Sequence, residues 1–163
     1  MFRKKNKKDF TKVAQYSVQI YYHEIPVTVY AQKVGEVTFY FVENQYYFER
    51  EQLYGYDDDG ERFAYYQKAV LELLNQIDYF PEIMNCHDWH TGMIACMCKT
   101  NHAHDERYAN IKHVYTIHNL AYQGNFGREI LHPCLGVPEY LYEDGSVRFD
   151  TGISFMKTGL VFA

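Results

Sequence analysis

Two short apolar runs, Ile83-Met84-Asn85-Cys86 and Lys112-His113-Val114-Tyr115-Thr116-Ile117, flank a stretch from Thr91 to Lys99 that reads as a helix. This order constrains the fold more than any other feature, because strands joined through a helix pack as parallel neighbours with a right-handed crossover. Pro81 closes off what precedes the first run, and the polar segment 100–110 reads as a loop before the second. The expected class is therefore α/β, with a Rossmann-like parallel sheet. A chain of 163 residues supplies one domain and one core.

Upstream the pattern has period two. Val18, Ile20 and Tyr22 alternate with Ser17, Gln19 and Tyr21, followed by Val27 and Val29, then by Val37, Phe39 and Phe41. Such alternation specifies strands, here an antiparallel or edge portion, and Lys33-Val34-Gly35-Glu36 suits a hairpin turn with Gly35 at positive φ. Beyond Asp57-Asp58-Asp59-Gly60, the residues Phe63, Tyr66, Val70, Leu73, Leu74 and Ile77 recur at helical spacing, with Arg62, Lys68, Glu72 and Gln76 expected to face away. Past Gly124 the chain turns irregular. It closes on an apolar helix through Phe155, Met156, Leu160 and Val161, and the stop at Ala163 reads as a boundary within a longer chain.

The formal charge of −5 and a single basic run, Arg3 to Lys8 at the N-terminus, point away from nucleic acid. No apolar run reaches the about 18 residues that span a bilayer, and no signal peptide is evident. Cys86, Cys96, Cys98 and Cys134 follow no disulfide spacing, so a soluble protein of the reducing cytoplasm is expected. The 17 tyrosines exceed what a small core needs, and their amphipathic rings suit sugar surfaces.

Two polar clusters follow the two expected parallel strands: His87-Asp88-Trp89-His90-Thr91-Gly92 and His118-Asn119-Leu120-Ala121-Tyr122-Gln123-Gly124. Ligands of open α/β sheets bind outside the carboxyl ends of the strands, so both clusters should share one rim. That rim offers a carboxylate (Asp88), imidazoles (His87, His90, His118), an amide (Asn119) and a flat ring (Trp89), which can bond hydroxyls and stack on a sugar. Each has a structural alternative. Asp88 is equally placed to cap the helix beginning near His90, Trp89 suits a core, and single histidines are often inert.

Metal binding is the rival chemistry, since Cys86, His87, His90, Cys96, Cys98, His102 and His104 are all zinc-ligand types. Their spacing argues against a site: His87 and His90 straddle a strand-to-helix junction, and Cys96 and Cys98 fall on different helix faces. Aligning Asp57 and Asp59 to a calcium loop leaves Gly55 and Tyr66 at ligand positions, and no glycine-rich phosphate loop occurs. No metal is expected.

The strings from Pro81 to Gly92 and from Tyr115 to Gly124 resemble the paired signatures of bacterial-type glycogen and starch synthases. Tyr46-Tyr47-Phe48, Leu53-Tyr54-Gly55-Tyr56, Asp58 to Ala64 and Ile153 to Leu160 agree, so the resemblance covers roughly Val37 to Ala163. It implies the N-terminal, acceptor-side half of a two-domain GT-B glycosyltransferase. Such an enzyme moves glucose from a nucleotide donor, ADP-glucose by resemblance, to the end of an α-1,4-glucan with retention of configuration and no cofactor.

By position the resemblance implies His118 beside the transferred glucose and Asp88 on the catalytic rim, with Trp89, Asn119, His90 and Tyr47 binding substrate. No residue declares itself as a covalent nucleophile. The family's opening strand, with its lysine- and glycine-rich loop, has no counterpart before Gln15, and the C-terminal donor-binding Rossmann domain is absent from residues 1–163. Lys157-Thr158-Gly159-Leu160 resembles that loop in letters, but its order in the chain matches an internal helix. The isolated chain is therefore expected to be inactive, and an exposed sheet edge is expected to favour pairing with a second copy. A non-catalytic carbohydrate-binding module and a zinc protein built on the Cys86/His87/His90/Cys96/Cys98 cluster are the alternatives.

Overall fold

The computed structural model describes residues 10–163; the basic run at Arg3 to Lys8 lies outside them. Strands β1 (Thr11–Ile20), β2 (His23–Val34) and β3 (Val37–Glu43) form an antiparallel sheet in the order β1-β2-β3. The β2–β3 hairpin closes at Val34↔Val37 with Gly35 at φ 61°, as its sequence requires. The first hairpin is tighter than the alternation implies. Ile20 pairs with His23, so Tyr22 is a turn residue, 91% exposed, and not a strand residue.

Val18, Ile20, Val27 and Val29 form the buried face of this sheet and pack with helix α2 (Asp59–Gln76) in one core; the tetrapeptide α1 (Gln45–Phe48) precedes α2. Two tyrosines fasten sheet to helix: Tyr16 Oη donates to Ala69 O at 2.5 Å, and Tyr65 Oη donates to Pro26 O at 2.8 Å. The helix lies where periodicity puts it, but its faces do not. Arg62, expected outside, is 2% exposed, while Phe63, Tyr66 and Val70 are only half-buried. The reason is that α2 is covered from both sides. Arg62 pairs with Asp59 and donates Nε–H to Tyr47 O at 2.8 Å, so its charge is satisfied in the interior.

The parallel pair is as expected: β4 (Ile83–His87) and β5 (Lys112–Thr116) run in register from Ile83↔Lys112 to His87↔Thr116. One face, with Ile83, Asn85 and Val114, is open; the other turns the buried Cys86 inward. The crossover is broken into a 3-10 turn (Trp89–Thr91), helix α3 (Ile94–Lys99) and helix α4 (Glu106–Ala109), where one helix and one loop were expected. Buried Gln67 of α2 serves α3 directly, accepting Met93 N–H at 2.7 Å through Oε1.

Beyond Gly124, strands β6 (Asn125–Phe126), β7 (Arg148–Phe149) and β8 (Gly152–Ser154) make a small sheet in the order β6-β8-β7, with helix α5 (Tyr140–Glu143) on the connection between β6 and β7. Helix α6 (Phe155–Phe162) follows, and Ser154 caps it by accepting Lys157 N–H through Oγ at 3.3 Å. Gly159 lies within this helix against the Tyr115 ring, which accords with a structural reading of Lys157 to Leu160. Only β4 and β5 are parallel among the described residues, so the architecture is mixed α/β with a partial parallel sheet.

Candidate functional site

The two polar clusters meet at the carboxyl ends of β4 and β5. Asp88 N–H donates to Thr116 O at 2.8 Å, extending the ladder one step past His87. The chain then turns at Asp88 with φ 58° and ψ 178°, a conformation close to glycine-only. That turn aims the carboxylate across the rim. Oδ1 accepts His118 N–H at 2.7 Å and Asn119 N–H at 3.3 Å, and makes no side-chain cap to the turn that follows. The helix-capping alternative for Asp88 is thus replaced by a bond between the two clusters.

The histidines separate into two environments. His87 and His118 are exposed, with Nδ1 of the first 2.9 Å from Nε2 of the second and ring planes 14° apart. His90 turns inward and stacks on Trp89, with centroids 4.0 Å apart, between the rings of Tyr54 and Phe63. Burial pushes the His90 imidazole below its ordinary pKa, against the opposing pull of Asp88 and Asp59. Asn119 is exposed and folds its Oδ1 back onto Ala121 N–H at 2.9 Å.

Two residues expected to bind substrate belong to the core. Trp89 is 4% exposed, wedged among Phe63, Phe126 and His90, and Tyr47 is 1% exposed with its hydroxyl on Glu61 at 2.5 Å. Neither presents a face to a sugar, because each fills the space where α2 meets the segments beside it. Trp89 instead sets the path of the second cluster. Gly124, at φ 62°, passes so close that a Cβ would lie 2.6 Å from Trp89 Cε3. The 123–124 carbonyls are taken by the start of α6, with Phe155 N–H on Gly124 O at 2.9 Å and Met156 N–H on Gln123 O at 3.1 Å.

Tyr54, for which the sequence predicts no role of its own, joins the rim: its ring packs on Trp89, His90 and Tyr122. Its position in Leu53-Tyr54-Gly55-Tyr56 was the available signal. Together with Phe63 and His90 it lines one part of a cavity of ≈ 650 Å³ that also touches Phe48, Arg50 and Gln52. Among the described residues no three His, Cys, Asp or Glu side chains converge as a metal ion would require, and Cys86, Cys96 and Cys98 are all buried.

Over residues 1–163 the sequence matches the family described as the starch synthase catalytic domain. The chain belongs to that family. Among its starch synthase relatives, the glycogen synthase of Ligilactobacillus salivarius (strain UCC118) is 40% identical over 157 residues, covering 96% of this chain and 33% of the relative. The glycogen synthase of Alkaliphilus metalliredigens (strain QYMF) is 48% identical over 128 residues, 78% of this chain and 27% of the relative. The catalytic domain of starch synthase IV from Arabidopsis thaliana, solved bound to ADP and acarbose, superposes with a TM-score of 0.84. At 24% identity over 95% of this chain and 33% of that one, this likeness shows the fold. The chain thus spans about a third of the length of the relatives it matches. Among the described residues no helix is long and apolar enough to cross a membrane.

Proposed function

We propose that this chain is the acceptor-side part of a glycogen synthase, which transfers glucose from ADP-glucose to the non-reducing end of an α-1,4-glucan with retention of configuration. The observation that carries the reading is the bond from His118 N–H to Asp88 Oδ1, which locks both signature loops into one rim. Relatives named glycogen synthase and a fold relative bound to ADP and acarbose support it.

Glucosyl transfer passes through an oxocarbenium-like state, so fixed groups that favour positive charge on the sugar lower its barrier. The exposed imidazole of His118 is available to bond a sugar hydroxyl, and the Asp88 carboxylate adds a negative charge held in place by two N–H donors. Asn119 extends the same rim. Nucleotide binding belongs to the donor-side domain, so neither half turns over alone.

The test is incorporation of labelled glucose from ADP-glucose into glycogen. The isolated chain gives none, a full-length synthase carrying this segment is active, and His118→Ala in it lowers kcat by about a hundredfold or more. Robust turnover by the isolated chain overturns the division of labour, and indifference to His118→Ala removes that residue from the site.

A further inference from the structure

The function proposed above uses His118 and leaves its neighbour without a role. His87 is the last residue of β4, paired in register with Thr116 of β5, and His118 lies two residues beyond Thr116. Its backbone is fixed at both ends of this step: Asp88 N–H holds Thr116 O at 2.8 Å, and Asp88 Oδ1 holds His118 N–H at 2.7 Å. The register therefore delivers His87 Nδ1 to 2.9 Å from His118 Nε2, with ring planes 14° apart.

We propose that His87 is a positioning residue for His118, holding its neutral imidazole in the tautomer protonated at Nε2 and leaving Nδ1 as a bare acceptor. One bond between two neutral imidazoles contains one proton, so one ring donates and the other accepts. A histidine ring carries its proton more readily on Nε2 than on Nδ1, and the bond one nitrogen makes fixes the state of the other. Only the assignment in which His118 Nε2–H donates to His87 Nδ1 lets both rings keep that form. The reverse places both protons on Nδ1. His118 Nδ1 then accepts a hydrogen bond from a sugar hydroxyl and cannot donate one, which selects a hydroxyl over an acceptor-only group at that point.

This inference rests on the placement of His118 beside the sugar, but its test does not. Two-dimensional 1H–15N spectra of the histidine rings in the chain, at a pH where both are neutral, contain neither glucan nor nucleotide. His118 is expected to show a pyridine-type Nδ1 and a pyrrole-type Nε2. In His87→Phe, which keeps a ring but offers no acceptor, the two shifts move towards each other as tautomers mix. His87→Asn, whose side-chain oxygen can stand near the Nδ1 position, restores their separation. A space-filling His87 predicts no change in His87→Phe, and that outcome, or a reversed pattern in the unaltered chain, overturns the proposal. His87→Ala is the substitute if the phenylalanine disturbs the amide spectrum. Glucosyl transfer by the full-length enzyme can fail or succeed independently of these spectra, so the two readings fall separately.

Discussion

The carboxylate of Asp88 accepts the backbone N–H of His118 at 2.7 Å, a contact between positions 30 apart in sequence. To make it, Asp88 holds φ 58° and ψ 178°, where an L-residue is strained by about 1–3 kcal/mol. Glycine relieves the strain but loses the carboxylate, whereas alanine loses the carboxylate and keeps the strain. Asp88→Gly should therefore be more stable than Asp88→Ala by about 1–3 kcal/mol in urea titrations. Both should lose amide-exchange protection at His118 and Asn119.

Gly92 and Gly124 both bear on this rim, for different reasons. Gly92 has ordinary helical angles, φ −66° and ψ −20°, but a Cβ there would stand 2.1 Å from the backbone oxygen of Phe155. At Gly124 a Cβ would meet the Trp89 ring, and φ is already +62°. Overpacking costs about 1–3 kcal/mol when neighbours can yield. Gly92→Ala, opposed by backbone, should reach or exceed the upper value, and chemical denaturation of both variants checks the order.

Arg62 and Asp59 form an ion pair in the interior, both nearly inaccessible, and Arg62 also donates to Tyr47 O. Removing one partner strands the other charge, so Arg62→Ala should destabilise by about 3–5 kcal/mol. Arg62→Lys should recover only part of this, since an ammonium cannot supply the separate Nε and Nη bonds to Tyr47 O, Asp59 and Leu53 O.

How much of this was legible in the sequence depended on whether the signal was local. The Gly35 turn, the parallel pairing of β4 with β5 and the meeting of the two clusters follow from period, turn chemistry and crossover handedness. The faces of α2 do not, because periodicity sends every charged residue outward. Arg62 is inside through Asp59 one turn earlier on the same helix and through the Tyr47 and Leu53 carbonyls, which lie outside α2 and on no helical wheel. Trp89 and Tyr47 are buried for a reason equally hidden from the sequence: an amphipathic ring suits a sugar and a core equally, and packing from distant segments decides. The backbone of Asp88 had no clear sequence sign: aspartate does visit positive φ, but its pairing of φ 58° with ψ 178° belongs to a region otherwise almost confined to glycine.

Burial pushes His90, His102 and His113 below their ordinary pKa. The unfolded chain then binds more protons than the folded one once pH falls below about 6.5. Stability should therefore be flat in these groups above that value and decline as pH drops through the folded pKa values. Urea midpoints between pH 8 and 5.5 should fall, and His90→Gln should flatten the decline.

The thiols offer an independent probe. Burial raises Cys86 to about 11 and Cys96, Cys98 and Cys134 to about 12, while an exposed thiol ionises near 8.5. Iodoacetamide at pH 8 should spare all four in the folded chain and modify all four in denaturant, as counted by intact-mass spectrometry.

The attachment of the rim to α6 has a consequence for binding entropy. The carbonyls of Gln123 and Gly124 accept the first N–H groups of that helix, Gly92 abuts Phe155 O, and Asp88 joins the first loop to the second. Two loops that could each rotate independently thus share one set of rigid-body coordinates with a helix. Ordering loops at an interface ordinarily opposes binding. Here that loss is incurred during folding, so a sugar arriving at His118 meets a surface with little freedom left to surrender.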